Sequence, residues 1–444
     1  MEEQKSDSGG MNVTQQRALN SISYEMLPST SVAVNRTMER QFFQKSVYGP
    51  GQEALIDVNT GAKFMNNRRS YLTFSVQLSR TATDVAGPPA LANAPVGGFG
   101  VGACTNLIRR VVVTTRSGVE LCRTEDFNVL STKTTRYNCD RDYLEQFGQL
   151  MGYIPTLGST TDLFPAGAAP TSTTSLSGKR QFVIPLTMLS PIFQGDGKTL
   201  LPPQAAAGLR IQITWESAAR AFVQNAAGTA PTDYLIDDIS IMANTTTMVD
   251  AWQKALNAES AAEGLTYTYP TWYTTTSTLP AASDRINVEQ RKAVARALSA
   301  FTVYTVGADS TALDNMASQP YTWDRVEWRL GSLYPTQQPI VDPAEGYFVA
   351  QNTFDAGVLD CKRMNSVSLD EYKASLSVNA VTLERSDVAI NGVLNISGLS
   401  TNNSQVLAFD GQLAAPAAAA GRLYVFMKHI SMVKLFLDNS SLSV

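Results

Sequence analysis

The chain has 444 residues, of which 44% are apolar and 17% charged, with a formal net charge of −4 at pH 7. That length accommodates two or three domains with full apolar cores, and no window approaches the roughly 18 unbroken apolar residues that a membrane helix requires. The densest basic clusters are Arg68-Arg69, Arg109-Arg110 and Arg291-Lys292 with Arg296. They are too short to form the basic stripe that displaces counterions from a nucleic-acid backbone, so sequence-specific or neutralising nucleic-acid binding is excluded.

Residues 1–20 are polar, Gln- and Ser-rich and without periodicity, which predicts a flexible N-terminal arm. The first ten, MEEQKSDSGG, contain no apolar stretch of the kind a secretory signal needs, so synthesis inside the cell without secretion is expected. Asn-x-Ser/Thr sequons at Asn12, Asn35, Asn244, Asn395, Asn402 and Asn439 are then expected to stay unglycosylated.

From there the dominant signal is β. Residues 70–78 alternate strictly, with Leu72, Phe74, Val76 and Leu78 on one face and Tyr71, Thr73, Ser75 and Gln77 on the other. That is period two, a strand with one face on a core. Leu209 to Trp215 repeats the pattern, and further strands are expected at 108–115, 181–186, 234–243, 300–306, 325–330, 375–383 and 423–437. Turn-rich stretches lie at 86–102, 158–178 and 408–421. Many short strands with long excursions indicate a sandwich or barrel rather than a βαβ enzyme.

Helices are expected at 124–135, behind an N-cap and with acidic residues in the first turn, and at 249–262. A third begins at Ser368, which forms a capping box with Glu371. The helix at 249–262, followed by Gly264 and a Thr-rich run around Tyr269-Pro270, is the expected joint between a first domain at 21–263 and a second at 264–444. Each half has the size of one eight-stranded sandwich with loops.

No catalytic constellation survives inspection. Cys104, Cys122, Cys139 and Cys361 show no paired spacing for zinc and read as reduced thiols. His429 is the single histidine, which leaves no His-based metal site and only a remote route to a nucleophilic triad. The run Gly195-Asp196-Gly197-Lys198-Thr199 lacks the earlier glycine of a phosphate loop, because Ile192 occupies that position. Gly98-x-Gly100-x-x-Ala103 is followed by a β segment instead of a helix, so it reads as a loop. Asp237 and Asp238, adjacent on a strand, should point to opposite faces and so cannot flank one substrate atom. Neither a catalytic, a cofactor nor a metal site is therefore assigned.

Five stretches taken in order resemble the double jelly-roll major capsid proteins of eukaryotic double-stranded DNA viruses, of the polinton-like virus and virophage type. They are residues 23–28 with 51–78, 106–130 (NLIRRVVVTTRSGVELCRTEDFNVL), 182–215 with its FVIPL strand and Leu-Pro-Pro loop, 328–340 (WRLGSLYPTQQPI) and 423–437. The resemblance covers roughly residues 20–440 and implies an all-β chain of two tandem eight-stranded jelly-roll sandwiches with a few short helices and long loops. It also implies a homotrimer that forms a pseudo-hexameric capsomer, packs against neighbouring capsomers and meets penton and minor capsid proteins in an icosahedral virion shell. It leaves open whether a membrane lies beneath that shell. The N-terminal arm, by its position and polarity, is expected to tie neighbouring capsomers or an internal layer.

Two readings from other classes compete. A tandem β-sandwich carbohydrate-binding or adhesion module would explain the Thr and Asn content, but lacks the export signal and disulfides of that compartment. A jelly-roll metal oxygenase would need two histidines and a carboxylate, against one histidine here.

Overall fold

The computed structural model describes residues 33–81, 97–153, 164, 174–194, 200–224, 230–262, 264–354, 366–384, 389–390, 393–394, 398–402, 405–435 and 441–443. The expected arm at 1–20, residues 23–28, Cys361 and the 195–199 run lie outside these residues.

In the first half, the strands run antiparallel in the order Ala33–Phe42, Asp233–Met248, Tyr71–Thr81, Arg180–Pro185, with short strands Val47–Tyr48, Phe64–Met65 and Thr174–Leu176 added at the margins. A second sheet has the order Glu53–Val58, Leu209–Trp215, Ile108–Thr114, Glu120–Thr124. The alternation predicted for residues 70–78 and 209–215 holds residue by residue, and it aims Leu72, Phe74, Val76, Leu78, Ile211, Ile213 and Trp215 into one core. Phe74 and Trp215, from opposing sheets, meet edge to face at 5.5 Å.

The second half repeats the plan. Leu265–Leu279, Gly421–Leu435, Ala297–Val306 and Asn379–Thr382 form one sheet, with Ser441–Ser443 pairing on Gly421–Leu435. Arg285–Gln290, Leu407–Leu413 and Trp323–Leu330 form the other. Trp323 and Trp328 both pack edge-on against Phe409 in the core between them. Strands of each half pair only with strands of the same half among the described residues.

Three expectations are corrected. The first part of the stretch 408–421 belongs to strand Leu407–Leu413, with Leu407, Phe409 and Leu413 buried, and only 414–420, with the Ala-Pro run, lie outside a strand as expected. Gly411 interrupts the alternation because a Cβ there would lie 2.5 Å from the Trp323 ring. The helix expected at 124–135 runs Phe127–Asn138, its acidic residues precede it, and Asp126 occupies the N-cap with φ 47° and no capping hydrogen bond. The Thr-rich run after Gly264 is the long edge strand Leu265–Leu279, where Pro270 is tolerated because an edge strand has one unpaired side. The helix Asp250–Ala262 and the Ser368–Glu371 capping box match their expectations.

Candidate functional site at the seam between the two halves

The helix Phe127–Asn138 buries most of its circumference, including Asn128, Lys133 and Arg136. A helix buried all round lies between two bodies instead of on the surface of one. On its far side lie residues of the second half: Tyr137 stacks on Phe354 at 4.8 Å, and its hydroxyl donates to the Leu376 carbonyl at 2.8 Å. Val101, Val129, Leu130 and Tyr137 share one apolar cluster with Phe301, Val303, Phe354, Tyr372 and Phe426. The first core in turn takes in Tyr269 and Val433 from the second half.

Polar groups lock this seam at two places. At the first, Asp314 of the second half reaches into the turn at Phe99–Val101. Its carboxylate accepts from the Val101 N–H at 2.7 Å and the Met316 N–H at 3.1 Å. Gly100 has φ 59°, and a Cβ there would fall 2.1 Å from Asp314 Oδ2. Lys133 is fully enclosed, and its ammonium donates to the Ser375 carbonyl at 3.2 Å. Burial pulls the Lys133 ammonium down to about 7 against the opposing charge of Asp314, and Arg136 lowers it further. Burial likewise raises the Asp314 carboxyl, opposed by the N–H groups of Val101 and Met316 and by Lys133. Arg136 donates to the Val101 carbonyl at 3.0 Å and to the Tyr153 hydroxyl, while Ser366 of the second half donates to the Arg136 carbonyl at 2.8 Å.

At the second lock, Arg220 donates to the Tyr424 hydroxyl at 2.6 Å and lies 3.6 Å from both Glu216 and Asp126. Asn128 donates to Glu216 at 2.9 Å, and Thr276 donates to Asp126 at 3.3 Å. The left-handed Asp126 thus serves the seam in place of capping its helix. Tyr269 and Tyr267 extend the join by donating to the carbonyls of Leu121 and Ile192 at 2.6 and 2.8 Å.

The residues weighed for chemistry are scattered. His429 is buried in the strand Gly421–Leu435, between Thr271 and Ala297 on its two neighbours. Burial holds its imidazolium form down to about 4, and the charge of Lys292 adds to this. Asp237 and Asp238 sit on a β-bulge, with Asp238 at φ 51°, so simple alternation does not govern them. Asp237 is taken up by Lys179. Gly98 pairs with Val223 in a two-stranded ribbon and Gly100 makes a turn, as the loop reading requires. Cys104 and Cys122 are buried thiols, Cys139 is half-buried, and Asn244 is buried within its strand where a glycan has no room. Among the described residues, no helix is long and apolar enough to cross a membrane. The seam charges escaped sequence reasoning. Their signal was cations at positions 133 and 136 on the same helical stripe as Val129, Leu130 and Tyr137.

No family model matches the chain, and no curated protein matches it by sequence. Solved structures do match it. The Faustovirus major capsid protein aligns with TM-score 0.61 at 9% identity, over 96% of this chain and 94% of that one. A chain of the Sputnik virophage gives 0.60 at 10% identity, over 95% and 90%. The mavirus major capsid protein gives 0.52 at 10%, over 100% and 97%.

The fold is a double jelly roll. At such low identity the shared property is architecture, and it extends through both rolls and therefore across the seam. In this double jelly roll the two sandwiches are joined by packed aromatics and buried charge, which resist relative motion better than a linker alone.

Proposed function

We propose that this chain is the major capsid protein of a double-stranded DNA virus, with a first roll at 21–263 and a second at 264–444 behind an arm at 1–20. Three copies close a pseudo-hexameric capsomer, and capsomers tile an icosahedral shell together with penton and minor capsid proteins. The protein is made and assembled inside the host cell and resides in the virion. It acts as a wall, without catalytic chemistry of its own.

The observation that carries this reading is the match of the whole chain, both rolls in order, to major capsid proteins. Two features of the chain itself support it. The seam makes one stiff block of two similar bodies, which is what six-fold pseudosymmetry from three subunits needs. Exposed apolar side chains occur on each half, with Tyr143, Phe147 and Leu150 on the first and Leu333, Tyr334, Val341 and Phe348 on the second. Unlike patches on the two halves suit head-to-tail contacts that close a ring.

Light scattering on the purified full chain tests the reading. A stable species of three times 48.0 kDa, hexagonal in outline by negative-stain microscopy, is expected. A monomer that persists at every concentration overturns it.

A further inference from the structure

We propose that a cavity at one end of the seam binds a small aromatic carboxylate. The cavity holds about 220 Å³ and lies between the helix Phe127–Asn138, the segment 187–194 and the strands Leu265–Leu279 and Gly421–Leu435. Phe127, Ser131, Thr134, Thr135 and Asn138 recur three or four residues apart, so one stripe of the helix faces it. Lys133, Arg136 and Tyr137 lie off that stripe and hold the contacts to the second half already described. Phe127 and Ser131 are buried, Thr134 and Thr135 half-buried and Asn138 exposed. The cavity therefore opens at Asn138 and deepens towards Phe127.

The second half closes the opposite wall. Trp272 and Lys428 are cross-strand partners, and Ser299 completes their row. Phe301 meets the Trp272 ring edge to face at 5.5 Å and holds the indole in place. Lys428 is half-buried, and among the described residues no carboxylate lies within ion-pair distance of its ammonium. It is also the one cation among the residues lining the cavity.

A lone cation beside an indole selects a flat monoanion. A cavity of roughly 150 Å³ takes up benzene, so this one admits a single ring with a short acidic side chain. The ring would lie among Leu130, Met188, Pro191 and Trp272, with the carboxylate on Lys428 and the helix hydroxyls beside any polar substituent. A sugar would use the hydroxyls but leave the ammonium without a counter-charge. A nucleotide phosphate needs several donors, and a long acyl chain exceeds the volume. Because its walls come from both halves, an occupied cavity ties them together and stabilises the folded chain. The inference does not depend on shell formation.

Calorimetric titration of the full chain with 3-phenylpropionate, and with the neutral 3-phenylpropionamide, tests it. Saturable binding of the carboxylate is expected, with a raised thermal midpoint and an affinity roughly tenfold above that of the amide. K428M should abolish that preference and K428R should keep it. T135F, which fills the cavity, should remove binding of both compounds while the chain melts as the wild type does. No saturable binding to the wild type overturns the proposal. Equal affinity for acid and amide also overturns it, as does binding that both K428M and T135F leave unchanged, because the compound would then sit elsewhere.

Discussion

Gly100 and Asp314 fit together because one of them has no side chain. The Asp314 carboxylate occupies the space a Cβ on Gly100 would need, and the turn that brings them together is left-handed. G100A therefore combines a backbone penalty with a collision against a buried carboxylate. A loss of about 2–4 kcal/mol in unfolding free energy is expected. Gly118 is also left-handed but has no atom within 4 Å of the added Cβ. G118A should cost only about 1 kcal/mol. Denaturant titration of both variants checks this, and equal losses would show that the carboxylate simply moves aside.

Lys133 makes the seam sensitive to alkaline pH. Its pKa falls from the ordinary 10.5 to about 7 in the folded chain. The unfolded chain thus binds the extra proton between those values, and stability climbs as pH rises from 7. Beyond the ordinary thiol value of 9.0, the buried Cys104, whose pKa burial raises, begins to oppose the climb. Between pH 7 and 9 the wild type should gain stability, and K133M should lose that slope. The variant also removes the cation that favours the buried Asp314 carboxylate and the donor to the Ser375 carbonyl, so at pH 7 it should be less stable than the wild type, by about 1–3 kcal/mol. Denaturant midpoints against pH provide the measurement.

Arg220 and Tyr424 couple the two halves directly. R220M leaves Glu216 and Asp126 without their cation and should cost about 3–5 kcal/mol. Y424F removes one charge-assisted hydrogen bond and should cost about 1.5–3 kcal/mol. A double-mutant cycle should return a coupling of about 1 kcal/mol or more. Strict additivity would mean that the 2.6 Å contact does not join the rolls energetically.

His429 should contribute to instability in acid. Its folded pKa of about 4 lies below the ordinary 6.5, so the unfolded chain takes up a proton first as pH falls. Stability is complete above 6.5 and is lost progressively towards 4. H429Q should flatten the part of the curve between pH 6.5 and 5, before most carboxylates titrate, and thermal midpoints across that window would reveal it.

How legible the molecule was depended on where each strand sits. Leu209–Trp215 has one face on the core and one outside, so its pattern shows in the sequence. Leu265–Leu279 is a run of Thr and Tyr with Pro270 inside it, and its burial changes with the neighbour it happens to meet. Leu407–Leu413 was hidden by Gly411, whose vacancy serves two aromatic rings contributed partly from another strand. Individual strands followed from local periodicity, whereas the tandem order of two rolls came from the resemblance to double jelly-roll capsid proteins. The seam followed from neither, because Lys133, Arg220 and Asp314 acquire their meaning from partners more than about 200 residues away in sequence, namely Ser375, Tyr424 and Val101.

Leu265–Leu279 is paired along its whole length with Gly421–Leu435, and Val433 of that partner also plugs the core of the first roll. A ribosome delivers these two strands far apart in time. Until residues 421–435 emerge, the nascent chain carries an open sheet margin in one half and an uncorked interior in the other. Such intermediates invite chain-to-chain mispairing. Chaperone demand during synthesis should therefore peak late, and a transcript truncated before residue 421 should yield insoluble product in place of a free first roll.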